Sequence, residues 1–78
     1  MDDIIKITRL AGFSITNNKD GGTFKNREVM FLYFRSGKRI VLDLIANVDI
    51  TEKVENKDLI LNINDDIMKQ EVIIFKED

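Results

Sequence analysis

Two apolar runs, Val29–Phe34 and Ile40–Ile45, stand on either side of Arg35-Ser36-Gly37-Lys38-Arg39. This stretch constrains the fold more than any other. Glycine takes the positive φ of a tight turn at no steric cost, so Ser-Gly between β-branched and aromatic runs predicts a hairpin. Two registers fit the alternation. A Ser36-Gly37 loop puts Val29, Phe31, Tyr33, Ile40, Leu42 and Leu44 on one face. Adding Lys38 to the loop groups Met30, Leu32 and Phe34 with the same three residues of the second run. Leu42 lies on the clean apolar face either way, and Asp43 falls on the other, which is still half apolar. A hairpin apolar on both sides needs covering twice, by its own chain and by a partner.

The flanking segments extend the sheet. Residues 2–11 read as helix or strand. Asp2 and Asp3 suit a helix cap, but the β-branched run Ile4-Ile5-Lys6-Ile7-Thr8 favours a strand. Gly12 marks a bulge or bend before Phe13 and Ile15 resume the alternation. Asn17-Asn18-Lys19-Asp20-Gly21-Gly22 is the clearest turn, with Asp-Gly a preferred type I′ pair. Phe13–Asn18 should therefore pair with Thr23–Arg27, which leads through an irregular step at Asn26 into the hairpin. Asp49-Ile50-Thr51-Glu52 fits a capping box and predicts one short helix within residues 49–57, although Val48, Ile50, Glu52 and Val54 also alternate as a strand would. Leu59–Ile63 and Val72–Phe75 read as strands, with a turn at Asn64-Asp65-Asp66.

The expected fold is therefore mainly β: a small five-stranded antiparallel meander with one short helix, forming a single domain over residues 1–78. That order resembles the partly open barrels of the OB type, and an SH3-like barrel is close to it. The likeness is topological and implies no function.

Composition narrows the chemistry. The chain has no cysteine and no histidine, which removes disulfides, thiolate metal sites and the commonest general base. Ser14, Ser36, the threonines and Tyr33 then have no histidine to activate them. Asp2/Asp3 and Asp65/Asp66 read as solvated neighbours rather than acid–base pairs. The run from Asn62 to Asp66 lacks the glycine and closing glutamate of an EF-hand loop. Asp20-Gly21-Gly22-Thr23, flanked by Lys19 and Lys25, has no Walker spacing and reads as a plain turn. The expectation is a protein without catalytic residues, metal or cofactor. With no leader and no apolar run near ~20 residues, it is expected in the cytoplasm and away from membranes. Abundant isoleucine, asparagine and lysine suggest AT-rich coding, as in low-GC bacteria, their phages and mobile elements.

Charge is unevenly distributed. Residues 19–39 carry Lys19, Lys25, Arg27, Arg35, Lys38 and Arg39 against Asp20 and Glu28, while residues 40–78 carry ten acids against four lysines. Phe24, Phe31, Tyr33 and Phe34 are interleaved with the basic segment. Two function classes follow. The first is a non-enzymatic accessory factor of a phage or mobile element that occupies the surface of a larger host protein. Glu52, Glu55 and Asp58 would form its contact rim, and it would act as a homo-oligomer. The second is a module for single-stranded nucleic acid or nucleotide phosphates using Lys25, Arg27, Arg35, Lys38 and Arg39. The net charge of −2 argues against the second, since nucleic-acid binders are commonly basic. Self-association is expected through Met30, Leu32, Phe34, Val41, Ile45 and the Val72–Phe75 run.

Overall fold

The computed structural model describes residues 1–78 as a mainly β chain. Its elements are β1 (Ile4–Asn17), β2 (Thr23–Phe34), β3 (Arg39–Asp43), β4 (Val48–Asp49), α1 (Thr51–Glu55), β5 (Leu59–Asn62), α2 (Asp65–Met68) and β6 (Val72–Lys76). One antiparallel sheet runs β4-β3-β2-β1-β5, and β6 also pairs with β1. It curls into a half-barrel with both short helices on its inner side.

The β-branched run near the N-terminus wins over the aspartate cap, and residues 4–17 form one long strand. Gly12, at φ 83°, bends it between the Ala11 and Phe13 pairings. Opposite, Asn26 adopts φ 55°, so both strands of the long hairpin kink together and can curl. Below the kink Phe13 pairs with Arg27 and Ile15 with Phe24, as expected. The turn between them is wider than a two-residue type I′ loop. Asn17 N–H donates to the Gly22 carbonyl, enclosing Asn18–Gly21, and Gly21 takes the positive φ of 75°.

The central hairpin has neither expected loop, but its faces divide as in the second register, with Met30, Leu32, Ile40 and Leu42 together and turned outward. Phe34 N–H donates to the Lys38 carbonyl and Gly37 N–H to the Phe34 carbonyl, leaving a three-residue loop, Arg35-Ser36-Gly37. Gly37 sits at φ 94°, the left-handed third position such loops require. The Asp2 carboxylate accepts from Ser36 N–H at 3.1 Å and from its Oγ at 2.6 Å, which clamps the loop from outside. In this register Phe31 pairs with Val41, Met30 with Leu42 and Val29 with Asp43. Val41 and Asp43 therefore turn inward, and Leu42 lies on the outer face, half-buried.

The core is Leu10, Phe13, Ile15, Val29, Phe31, Val41 and Ile50, and only nine of 78 residues are buried in all. So thin a core leaves the sheet partly open on both faces. Helix α1 is shorter than expected and is not closed by a capping box. Its N-cap is Ile50, with no side-chain cap bond. Asp49 instead accepts from Thr51 N–H at 2.9 Å and Thr51 Oγ1 at 2.6 Å. The segment expected as a turn after β5 is helix α2. Asn64 caps it, its side chain accepting from Ile67 N–H at 3.0 Å, with Asp65 and Asp66 in the first turn. Both helices send an apolar side chain, Val54 and Ile67, against the core. None of the helices is long and apolar enough to cross a membrane.

Candidate functional site

The fold scatters the basic residues over three surfaces. Arg27 lies on the inner face, its Nη2 2.6 Å from an Asp43 carboxylate oxygen and its side chain 16% exposed. Its guanidinium also covers the Phe24 ring. This arginine neutralises the one carboxylate that the hairpin register forces inward. Arg35, in the loop, is bonded to Glu77 and lies 3.7 Å from Asp3. The Glu77 hydrogen bond and charge hold its guanidinium pKa above the ordinary value. It ties the loop to both ends of the chain. Lys38 stands over Phe34, 5.7 Å from its centroid, on the outer side. Lys25 lies by a polar depression lined by Gly12, Ser14, Asn26, Asn62 and Asn64. Only Arg39 combines a cation without an ion pair, an aromatic neighbour and a cleft.

The glycine turn does not present a phosphate cradle. Gly22 N–H donates to Asp20 Oδ1 at 2.7 Å, Lys19 N–H to Asn17 Oδ1 at 3.0 Å and Gly21 N–H to the Asn17 carbonyl at 2.8 Å. These three donors are consumed within the turn.

The acidic residues expected at a partner contact lie on and after α1. Glu52 and Glu55 are exposed on α1, and Asp58 follows it half-buried. Asp58 packs where α1 meets the β1–β2 turn, near Lys19 and Lys53, and its carbonyl accepts from Asn18 N–H at 2.9 Å. Nowhere do three acidic side chains gather as a metal site would need.

The largest opening is a cleft of about 510 Å³ where the half-barrel fails to close. Phe31 and Tyr33 of β2, with ring centroids 6.3 Å apart, belong to its wall. Val54 of α1, the Leu59–Leu61 run and Met68 of α2 are its other apolar residues, together with Ile63. Arg39, Lys57 and Glu71 are its charged members. The Arg39 guanidinium lies 5.3 Å from the Phe31 centroid. Lys57, at φ 62°, ends the α1 segment and adds a second cation. Such a surface can hold an apolar or aromatic group and orient an attached anion. It has no paired acid and base to transform either. Sequence alternation marked Leu59, Leu61 and Ile63 as one face. It could not reveal that no further strand would cover them, because closure depends on the sheet's curl.

Comparison with protein-family models, with curated proteins and with solved structures finds no match to the chain. The functional reading therefore rests on the cleft and its rim.

Proposed function

We propose that this chain is a non-enzymatic binding protein that occupies the surface of a larger host protein, as an accessory factor of a phage or mobile element would. The observation that carries the reading is the open cleft, in which eight of eleven lining residues are hydrophobic. Apolar surface left uncovered in a small domain marks a place where another molecule docks. An apolar segment of the host protein would fill it. Glu52 and Glu55, exposed on α1 outside the cleft lining, and Asp58 after it would steer approach. Capture of the host protein by the wild-type chain but not by Leu61→Glu, with the fold of the variant intact, tests the reading. Equal capture by both would remove the cleft from it.

A second reading is favoured by one observation, the Arg39 guanidinium beside Phe31 and Tyr33 in the same cleft. An aromatic wall with an unpaired cation suits a base and its phosphate, so a nucleotide or the end of a single strand is the alternative occupant. Of the five basic residues expected to serve it, Arg27 and Arg35 are held in ion pairs. The ratio of absorbance at 260 and 280 nm separates the two readings. One tyrosine and no tryptophan leave little protein absorbance, so a co-purified nucleotide would stand out.

A further inference from the structure

The sheet register sets two lysines face to face. Lys6 of β1 stands directly opposite Lys76 of β6 and, on its other side, opposite Tyr33 of β2. Opposed residues of an antiparallel pair share a face. All three therefore lie on the inner face with the buried Thr8 and Phe31, beside the cleft whose wall Tyr33 shares. The Lys6 ammonium is 5.4 Å from the Tyr33 centroid. Lys6 is half-buried and Lys76 exposed. Neither has an acidic partner, because the ion pairs of this chain use Arg9, Arg27 and Arg35. The acids near this end of the sheet are committed elsewhere. Asp2 binds Ser36, and Asp3 and Glu77 share Arg35; Asp78, the last residue, is exposed. Like charges directly opposite each other destabilise a sheet. The register thus carries a cost that an anion over the two lysines would remove.

We infer that the segment filling the cleft is apolar with an acidic flank, and that this flank lies over Lys6 and Lys76. The inference rests on the host-binding reading and adds the chemistry and direction of the bound segment. Within the lining, Lys57 and Glu71 are opposite in sign, and the Arg39 guanidinium is laid over Phe31. The uncommitted charge next to the cleft is then the lysine pair beyond Tyr33. Glu52 and Glu55 stand on the far side, since α1 packs against β3 and β5. A segment with its acids over the lysines keeps them away from both glutamates. A base is the poorer occupant. Cations already stand over Tyr33 and Phe31, the rings on which a base would stack. Val54, Leu59, Leu61, Ile63 and Met68 make the rest of the wall aliphatic, which suits leucine-like side chains.

Selection from a library of random short peptides on the immobilised full chain tests this, with affinities then measured for the enriched peptides. The expected result is peptides that join Leu, Ile or Val to Asp or Glu on one flank. Their affinity for the wild-type chain should fall as salt rises. Lys6→Gln with Lys76→Gln should weaken them about tenfold at low salt and less at high salt, where charge contacts are screened. That double variant should melt no lower than wild type, since it removes the opposed charges. Leu61→Glu should abolish binding. Enriched peptides that lack acids, or whose affinity ignores both salt and the lysine variant, overturn the inference. If Leu61→Glu still abolishes their binding, the host-binding reading stands without it. Peptides that bind Leu61→Glu equally well, or no enrichment at all, overturn both. Equal displacement of the peptides by a thymidine oligonucleotide or by phosphatidylserine vesicles overturns the choice of a protein segment.

Discussion

Arg27 and Asp43 meet across the inner face, Nη2 to carboxylate oxygen at 2.6 Å, with the Asp43 side chain 7% exposed. The other oxygen of Asp43 accepts from Ile45 N–H at 2.9 Å and Ala46 N–H at 3.0 Å. One aspartate thus binds β2 to the chain leaving β3. A carboxylate turned inward is tolerable only because every part of it is bonded. Removing either partner strands the other. Asp43→Ala and Arg27→Ala should each cost about 2–4 kcal/mol in urea unfolding. The double variant should cost clearly less than the sum of the two.

The same pair sets an acid limit. Burial alone would raise the Asp43 pKa, but hydrogen bonds from Ala46 N–H, Arg27 and Ile45 N–H outweigh it and hold the value below the ordinary 3.8. A carboxylate whose pKa is lower folded than unfolded contributes stability that is complete above its unfolded value. That contribution is lost as pH falls through the folded value. Unfolding free energy should therefore decline with acidification below about pH 4. The decline should be shallower in Asp43→Asn when both are followed by urea titration.

Register decides which hairpin residues matter for stability. Val41 is 1% exposed and Leu10 1% exposed, whereas Leu42 stands half-buried on the outer face. Leu10→Ala should cost ~2–5 kcal/mol, and Val41→Ala about 2 kcal/mol, through lost burial and a cavity. Leu42→Ala should cost less than either, because Leu42 is only half-buried. Thermal melts at a few micromolar rank the three.

Gly37 closes the hairpin at φ 94°, and a Cβ added there would meet nothing within 4 Å. The cost of a side chain is therefore conformational rather than steric contact. Gly37→Ala should destabilise by about 1 kcal/mol, and Gly37→Asn by less, because asparagine tolerates the left-handed region. An alanine variant as stable as wild type would mean that the loop relaxes to another register.

The two occupants of the cleft predict opposite mutational patterns. If a host segment fills it, exchanging Glu52 and Glu55 for Lys should slow association by about tenfold at low salt and less at high salt. Lys38→Glu with Arg39→Glu should then change little. If a nucleotide fills it, Arg39→Glu should abolish binding. Affinity for the wild-type chain would then fall steeply with salt, as each bound phosphate releases counterions. Binding kinetics at two salt concentrations distinguish the cases.

Much of the fold is legible in the sequence because it is local. Asn26 at φ 55° and the bend at Gly12 follow from residue types that tolerate positive φ. The strands follow from β-branched alternation, and the long first hairpin from its Asn/Gly-rich turn. Helix α2 escaped notice although Asn64, Asp65 and Asp66 supply a cap and an acidic first turn. Four residues are too few for periodicity to register. Of the candidate site, the sequence supplied Arg39 and the alternation of Leu59, Leu61 and Ile63, but not their meeting.

What the sequence by itself determined is this chain's β character, its hairpin turns, the kink in its long strands and its lack of histidine and cysteine chemistry. Only the tertiary structure decided which face is the core. Register in a two-sided apolar hairpin is weakly fixed by pattern, since a shift of one residue exchanges two nearly equivalent faces. The deciding interactions lie far apart in the chain. Asp2 grips Ser36 across 34 residues and Arg27 neutralises Asp43 across 16. Together they favour the core face that buries a carboxylate, with Leu32 and Leu42 outward and Arg39 beside the cleft.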